Sequence, residues 1–336
     1  MEKIVRTLCF FTKESNRIPL ELSERLSALL TKNGYSIQTE RICFPDFKSC
    51  DESALNKDDV MTGVGTLSFE QAHGFLPCFL QSEKTLFNID LSDEEISDRH
   101  VDILFKIMSK KAGHTFNFAY CFQVPPSSPY FPSASFGREG FSVGLQPTNL
   151  AKGCTTLSEW LENMRSVWLE LHSLLSPFSE FLGIDSSIAP LFLGEGSLIS
   201  FVKQLYTDFS TSVTTDFYTS LSSFVRDSNP CPVGLCGVML PCLEDFELAK
   251  EYERGNFSIE RNIFLSLHSG LGIDTYPIAI DQPKKKVVEI LRLVQSLSRK
   301  YSKPLSVRFV SDGKAKIGDR TEFNNQYLCD VRVRTL

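Results

Sequence analysis

Lysine, glycine and carboxylate side chains crowd one short stretch late in this chain: Ser311-Asp312-Gly313-Lys314-Ala315-Lys316-Ile317-Gly318-Asp319, with Glu322 shortly after. Gly313 and Gly318 let the backbone turn its amides inward, and Lys314 and Lys316 set positive charge beside them. Amides plus ammonium groups suit a carboxylate or a phosphate. The lysine lacks a following Ser or Thr and no helix clearly follows, so this is not a Walker loop. The competing reading is a surface loop solvated by its lysines. Upstream, Asp281 stands where an apolar run ends and a helical pattern begins. It reads either as a helix cap or, with Asp319 and Glu322, as a carboxylate set for a hard divalent cation. Asp274 lies between glycines and that apolar run, where a carboxylate must be hydrogen-bonded or paired; a turn-forming role is the alternative. His268 is a candidate proton carrier or a structural histidine near a helix end. Arg138 belongs to a proline- and serine-rich connection with Tyr130 and Phe131 that can close over an anion.

These residues are positioned by a strand–helix–strand pattern. Residues 275–280 form a short apolar strand, a helix opens at Asp281, and 305–310 form a second strand. Two strands joined by a helix lie parallel with a right-handed crossover. Asp281 and the lysine loop therefore leave the sheet at one edge, where α/β proteins build their sites. The same alternation runs through the chain. Strands are expected at 4–11, 35–44, 86–91, 115–124, 141–145 and 233–239. Helices are expected from Pro19 to the stop at Asn33-Gly34, and at 68–81, 98–111, 197–206, 212–226 and 246–253. A longer one opens at Thr155 or Ser158 and another at Ser258, while 46–59 reads as polar loop. Such alternation predicts one α/β domain over 1–336, as a sheet or a barrel.

Composition narrows the function classes. The 336 residues carry 42% hydrophobic and 23% charged side chains and a net charge of −6, which argues against a nucleic-acid surface. No apolar run is long enough for a membrane span, and the N-terminal residues lack a signal-peptide core. Of the ten cysteines, Cys9, Cys43, Cys121 and Cys236 fall inside apolar strand-like runs and no Cys-x-x-Cys pair occurs, so a reduced, cytoplasmic protein is expected. Cys231, Cys236 and Cys242 are too widely spaced for a usual zinc knuckle. There is no Gly-x-Ser-x-Gly elbow and no dinucleotide fingerprint.

Several blocks recur in the order of one known pattern: Arg6-Thr7; Phe141-Ser142-Val143-Gly144-Leu145-Gln146; Gly183-Ile184-Asp185 with Ala189-Pro190; Val238-Met239-Leu240-Pro241 with Leu243-Glu244-Asp245; and 272–323, including Gly313-Lys314, Gly318-Asp319 and Glu322-Phe323. Together they resemble the domain-of-unknown-function 711 family over nearly the whole chain. The resemblance implies a ten-stranded β/α barrel of the glycyl-radical-enzyme and ribonucleotide-reductase type, made of two antiparallel halves of parallel strands. It does not imply radical chemistry, since 330–336 hold no glycine. Ser269 stands where many relatives carry cysteine, and Ala279-Ile280 where they carry Pro-Gly, so no cysteine-based role is carried over. The expectation is a non-radical barrel enzyme that binds a small anionic metabolite. A divalent metal and assembly as a homo-oligomer are both compatible with it. Lys314, Lys316, Gly313, Gly318 and Arg138 would hold the anion; Asp274, Asp281 and His268 would do the chemistry. The alternative is a non-catalytic ligand-sensing or interaction protein on an enzyme-derived barrel.

Overall fold

The computed structural model describes residues 2–13, 20–47 and 60–336. The expected helix start at Pro19 and most of the polar run 46–59 lie outside them. The chain begins with β1 (Lys3–Phe11), α1 (Leu20–Lys32), β2 (Tyr35–Ile37), β3 (Glu40–Cys43), β4 (Met61–Leu67), α2 (Phe69–Gln81), β5 (Thr85–Asp90), α3 (Asp98–Lys111) and β6 (Phe118–Phe122). It continues with β7 (Gly140–Leu145), α4 (Leu157–Leu175), β8 (Phe181–Asp185), α5 (Leu198–Leu205), α6 (Phe209–Ser212) and α7 (Phe217–Asp227). It closes with α8 (Phe246–Arg254), α9 (Ile259–His268), β9 (Gly272–Pro277), α10 (Lys284–Tyr301) and β10 (Leu305–Val310).

Local chemistry explains the boundaries. Ser68 and Gln71 form a capping box at the start of α2, and Thr156 with Glu159 does the same for α4. The cap of α4 is thus Thr156, not Thr155 or Ser158, because only Thr156 has a glutamate three residues on to return the bond. Inside α4, Trp160, Met164, Val167, Trp168, Leu171 and Leu175 bury one stripe against the core. Gly255, at φ 86°, ends α8 in the left-handed conformation. Helix α10 begins at Lys284 rather than at Asp281. Pro283 disfavours helical backbone at Gln282, so Asp281 cannot be the cap.

The sheet is mixed and ten-stranded, ordered β8-β7-β1-β3-β4-β5-β6-β10-β9, with β2 also on β1. Strands β1, β3, β4, β5 and β6 run parallel to one another. Strands β7 and β10 flank them antiparallel, and each carries a parallel neighbour, β8 and β9. The unit β9–α10–β10 has the parallel pairing expected for it. The regular ladder is open between β8 and β9, where a barrel requires closure. The stretch 232–241, expected to hold a strand at 233–239, pairs there only through isolated parallel bridges: Pro232 with Ile184 and Val238 with Ile188 on one side, Val238 with Gly270 and Pro241 with Asp274 on the other. Prolines 232 and 241 lack ladder donors, and Gly234 and Cys236 take positive φ, so regular pairing breaks.

Alternation along the strands separates two apolar faces. Leu8, Phe10 and Ile42 join the main core with the helices, whereas Cys9, Phe11 and Cys43 meet Phe131 and Ala134 on the opposite face. Phe131 belongs to the connection between β6 and β7, expected to be a lid. Instead it packs inward: Tyr130 donates from its hydroxyl to the Leu145 carbonyl at 2.7 Å, and the Asn88 amide donates to the Pro132 and Ala134 carbonyls. Two glycines make room. A Cβ on Gly144 would lie 2.6 Å from the Tyr130 ring, and one on Gly63 would lie 2.9 Å from that of Phe131. None of the described helices is long and apolar enough to cross a membrane.

Candidate functional site

On the Phe131 side lies a cavity of about 540 Å³, within the usual range for small-molecule sites. Its charged lining comes from separate strands: Arg6 on β1, Arg41 on β3, Asp274 on β9, Arg308 on β10, and Glu244 after the 232–241 stretch. Two of these strand residues sit at register shifts. Arg6 lies at a shift between β1 and β7, between Val5 and Thr7. Arg308 lies opposite Asp274 and Thr275, where β10 and β9 slip by one residue and Thr275 takes a positive φ. Bulges re-aim side chains, and here they bring charge to a face otherwise filled by Cys9 and Phe11.

Arg308 is buried and held from two sides. Its Nη2 donates to Glu244 Oε2 at 2.5 Å and its Nε to Asp274 Oδ1 at 2.7 Å, with the Phe116 ring beneath the guanidinium. Burial opposes its charge, but Asp274 and Glu244 outweigh it and hold its pKa above the usual value. Burial likewise drives the Glu244 carboxyl upward, Arg308 opposing and Asp274 reinforcing the rise.

Arg41 is different. Its guanidinium lies over the Phe131 ring at 5.1 Å, its Nε has no hydrogen-bond partner, and among the described residues no carboxylate pairs with it. Burial first, then the neighbouring Arg6, lower its pKa to about 10, so it remains a cation at neutral pH. Among the described residues Arg6 itself reaches only the neutral amide oxygen of Gln38, at 3.3 Å. These two guanidinium groups thus face the cavity without an ion pair among the described residues, Glu244 acting on them only from a distance. Both are half-buried, and a cation only partly in reach of solvent gains from an anion placed against it.

The lysine loop lies elsewhere. Asp281 and the loop do meet, since Asp281 Oδ1 accepts from the Ile317 amide at 2.9 Å. That bond is part of a closed system. Asp312 accepts from the amides of Lys314 and Ala315, Asp319 from that of Lys316, Ser311 Oγ from that of Gly313, and the Val333 carbonyl from that of Gly318. Every amide an external anion would need is already taken by the chain's own acceptors. Lys314 and Lys316 are exposed, and Lys314 approaches Glu322 at 3.6 Å in solvent. Gly313 and Gly318 keep their left-handed turns, at φ 76° and 95°, for the loop itself.

The other expectations divide. Asp274 is paired, as its apolar setting demanded, and lines the cavity. His268 is half-buried, shares a 2.7 Å hydrogen bond with Ser269 Oγ and does not line the cavity. Arg138 is exposed and also outside the lining. Asp281, Asp319 and Glu322 do not form a cation site: among the described residues no three His, Cys, Asp or Glu side chains come together in a way that could hold a metal ion. Their oxygens bind backbone amides or face solvent instead. Of the pair Glu244-Asp245, Asp245 is the cap, accepting from the Glu247 and Leu248 amides of α8 and from Ser197 Oγ before α5. Glu244 is thereby left for Arg308. A larger concavity of about 730 Å³ lies on the outer face between α2 and α3, but Arg99 and Lys106 there are exposed and Lys284 is paired with Asp102, so solvent screens what it offers.

Sequence reasoning passed over Arg6, Arg41 and Arg308 because each stands inside a strand-like run. That position was itself the signal: a guanidinium within LSVRFV or ERIC needs an anionic partner, from the chain as for Arg308 or from a ligand.

Comparison with known proteins adds one finding. The family model described as Uncharacterised ACR (DUF711) matches residues 101–324. No curated protein matches the chain.

Proposed function

Because this chain belongs to the DUF711 family, whose description names no activity, we propose its function from the interior site: a non-radical barrel enzyme that binds a small anionic metabolite at Arg41 and Arg6 and moves protons through Glu244. Support for the barrel comes from the bridges of 232–241, which make one half of β7, β8, that stretch, β9 and β10, antiparallel to the half of β1 and β3–β6. The placement of Glu244 supports its role. Burial raises its pKa above the ordinary carboxyl value, Arg308 opposing the rise while holding the side chain in place. Free cysteines throughout the described residues accord with a reducing compartment such as the cytoplasm.

One observation carries the reading: among the described residues the cavity-facing guanidinium of Arg41 forms no ion pair, and its Nε has no hydrogen-bond partner. The test is a thermal-shift and calorimetric titration with acetate, malonate and inorganic phosphate. At least one of these anions should stabilise the protein. Arg41→Leu should weaken that binding about tenfold or more, since a hydrogen bond to a charged group contributes about 1.5–3 kcal/mol. Lys314→Ala should leave it unchanged. Equal binding by wild type and Arg41→Leu, or loss of binding in Lys314→Ala, overturns the assignment. A non-catalytic sensor would return the bound metabolite unaltered, which mass spectrometry of recovered ligand reads directly.

A further inference from the structure

We infer that the ligand of this cavity is a monocarboxylate with an apolar body, an inference that rests on the anion-binding reading above. The charge balance comes first. Three guanidinium groups, on Arg6, Arg41 and Arg308, face two carboxylates, on Glu244 and Asp274, leaving an excess of one positive charge. With both carboxylates ionised a monoanion neutralises the site, whereas a phosphate dianion would leave it net negative.

The walls say what lies behind the head group. Leu235, Met239 and Leu271 line the cavity, yet they belong to none of the apolar clusters that make up the core. Leu235 and Leu271 are nonetheless buried. Enclosed apolar side chains normally join a core cluster; these present their surface to the cavity. Phe131 adds an aromatic face beside Arg41. Phe192 and Tyr327 also line the cavity and stack at 5.7 Å and 18°, each 37% exposed. A carboxylate on Arg41 and Arg6 would therefore extend an apolar chain or ring along Leu235, Met239 and Leu271. A sugar phosphate would set its hydroxyls against these same apolar surfaces.

The test is calorimetric titration of the full chain with acetate, butyrate, hexanoate and phenylacetate, with inorganic phosphate alongside. Affinity should rise about fourfold for each methylene buried along the series, the factor expected from apolar transfer. Met239→Asn should flatten that rise, so that hexanoate gains less over acetate than in the wild type. If phosphate binds and lengthening the carboxylate brings no gain, this inference fails and the anion-site reading stands. If neither the carboxylates nor phosphate binds, both fail. A rise in affinity that persists undiminished in Met239→Asn also overturns the placement of the apolar body.

Discussion

Arg308 joins two carboxylates through a single guanidinium, and that division of bonds governs how the interior responds to mutation and to pH. Arg308→Met keeps the volume but leaves the buried Glu244 and the half-buried Asp274 without their cation. Breaking a buried pair from one side costs about 3–5 kcal/mol. The sign of the pH effect follows from Glu244, whose carboxyl burial already raises in the folded protein. An acid with a raised folded pKa holds a proton that the unfolded chain releases. Its stabilising contribution is therefore present at low pH and lost as pH rises through the folded value. Without Arg308 the carboxyl rises further, so Arg308→Met should be much more destabilised at pH 8 than at pH 5. Urea denaturation at both pH values measures this. An equal loss at the two pH values would show that Glu244 is not the group responsible. Asp245, adjacent in sequence, serves the backbone instead. Burial outweighs its four donors and takes its carboxyl to about 6, and it ties α8 to the start of α5.

At the level of elements, the connection between β6 and β7 behaves as part of the interior rather than as a cover. Its hydrogen bonds run to β1, β5 and β7: Thr7 Oγ1 donates to the Pro129 carbonyl, Asn88 to Pro132 and Ala134, and Ser142 Oγ to Ser127. Ser128 Oγ donates to Asp185, which also accepts from the Leu235 and Cys236 amides. One buried carboxylate thus joins the connection, β8 and the 232–241 stretch. Because Tyr130 presses on Gly144, Gly144→Ala should displace this segment and cost about 1–3 kcal/mol, the usual penalty of overpacking. Tyr130 and Phe131 also line the cavity, so anion affinity should fall together with the melting temperature. Unchanged stability and affinity in Gly144→Ala would refute the inward packing. The proline-rich composition showed a long connection but not its direction. Only the glycines opposite, at 63 and 144, permit the approach.

For the molecule as a unit, closure between β8 and β9 decides whether the cavity is enclosed. The amides of Ile188 and Met239 donate to carbonyls across one seam, and Leu271 donates to the Val238 carbonyl across the other. If the ring closes there, hydrogen exchange at Ile188, Met239 and Leu271 should be as slow as at the centre of β1. Exchange at the rate of an open edge strand would contradict closure. Much of this architecture is legible in the residues. The alternation of apolar strands with striped helices, the parallel unit around α10, and the cap at Ser258 all arise from local periodicity and side-chain-to-amide bonding, which act within a few residues.

Residue order was enough for the α/β class, most helices and the family, because each depends on local pattern or on blocks read in turn; it missed β4 and β8 and did not divide β2 from β3. It also placed Asp274 correctly as a carboxylate in need of a partner. The position of the site emerged only from the folded chain. Arg6, Arg41 and Arg308 are far apart in sequence and meet only when the sheet curves and two register shifts aim charge inward. The lysine loop drew attention because its charges are contiguous. Contiguity favours local pairing, and Asp281, Asp312 and Asp319 had already claimed its amides.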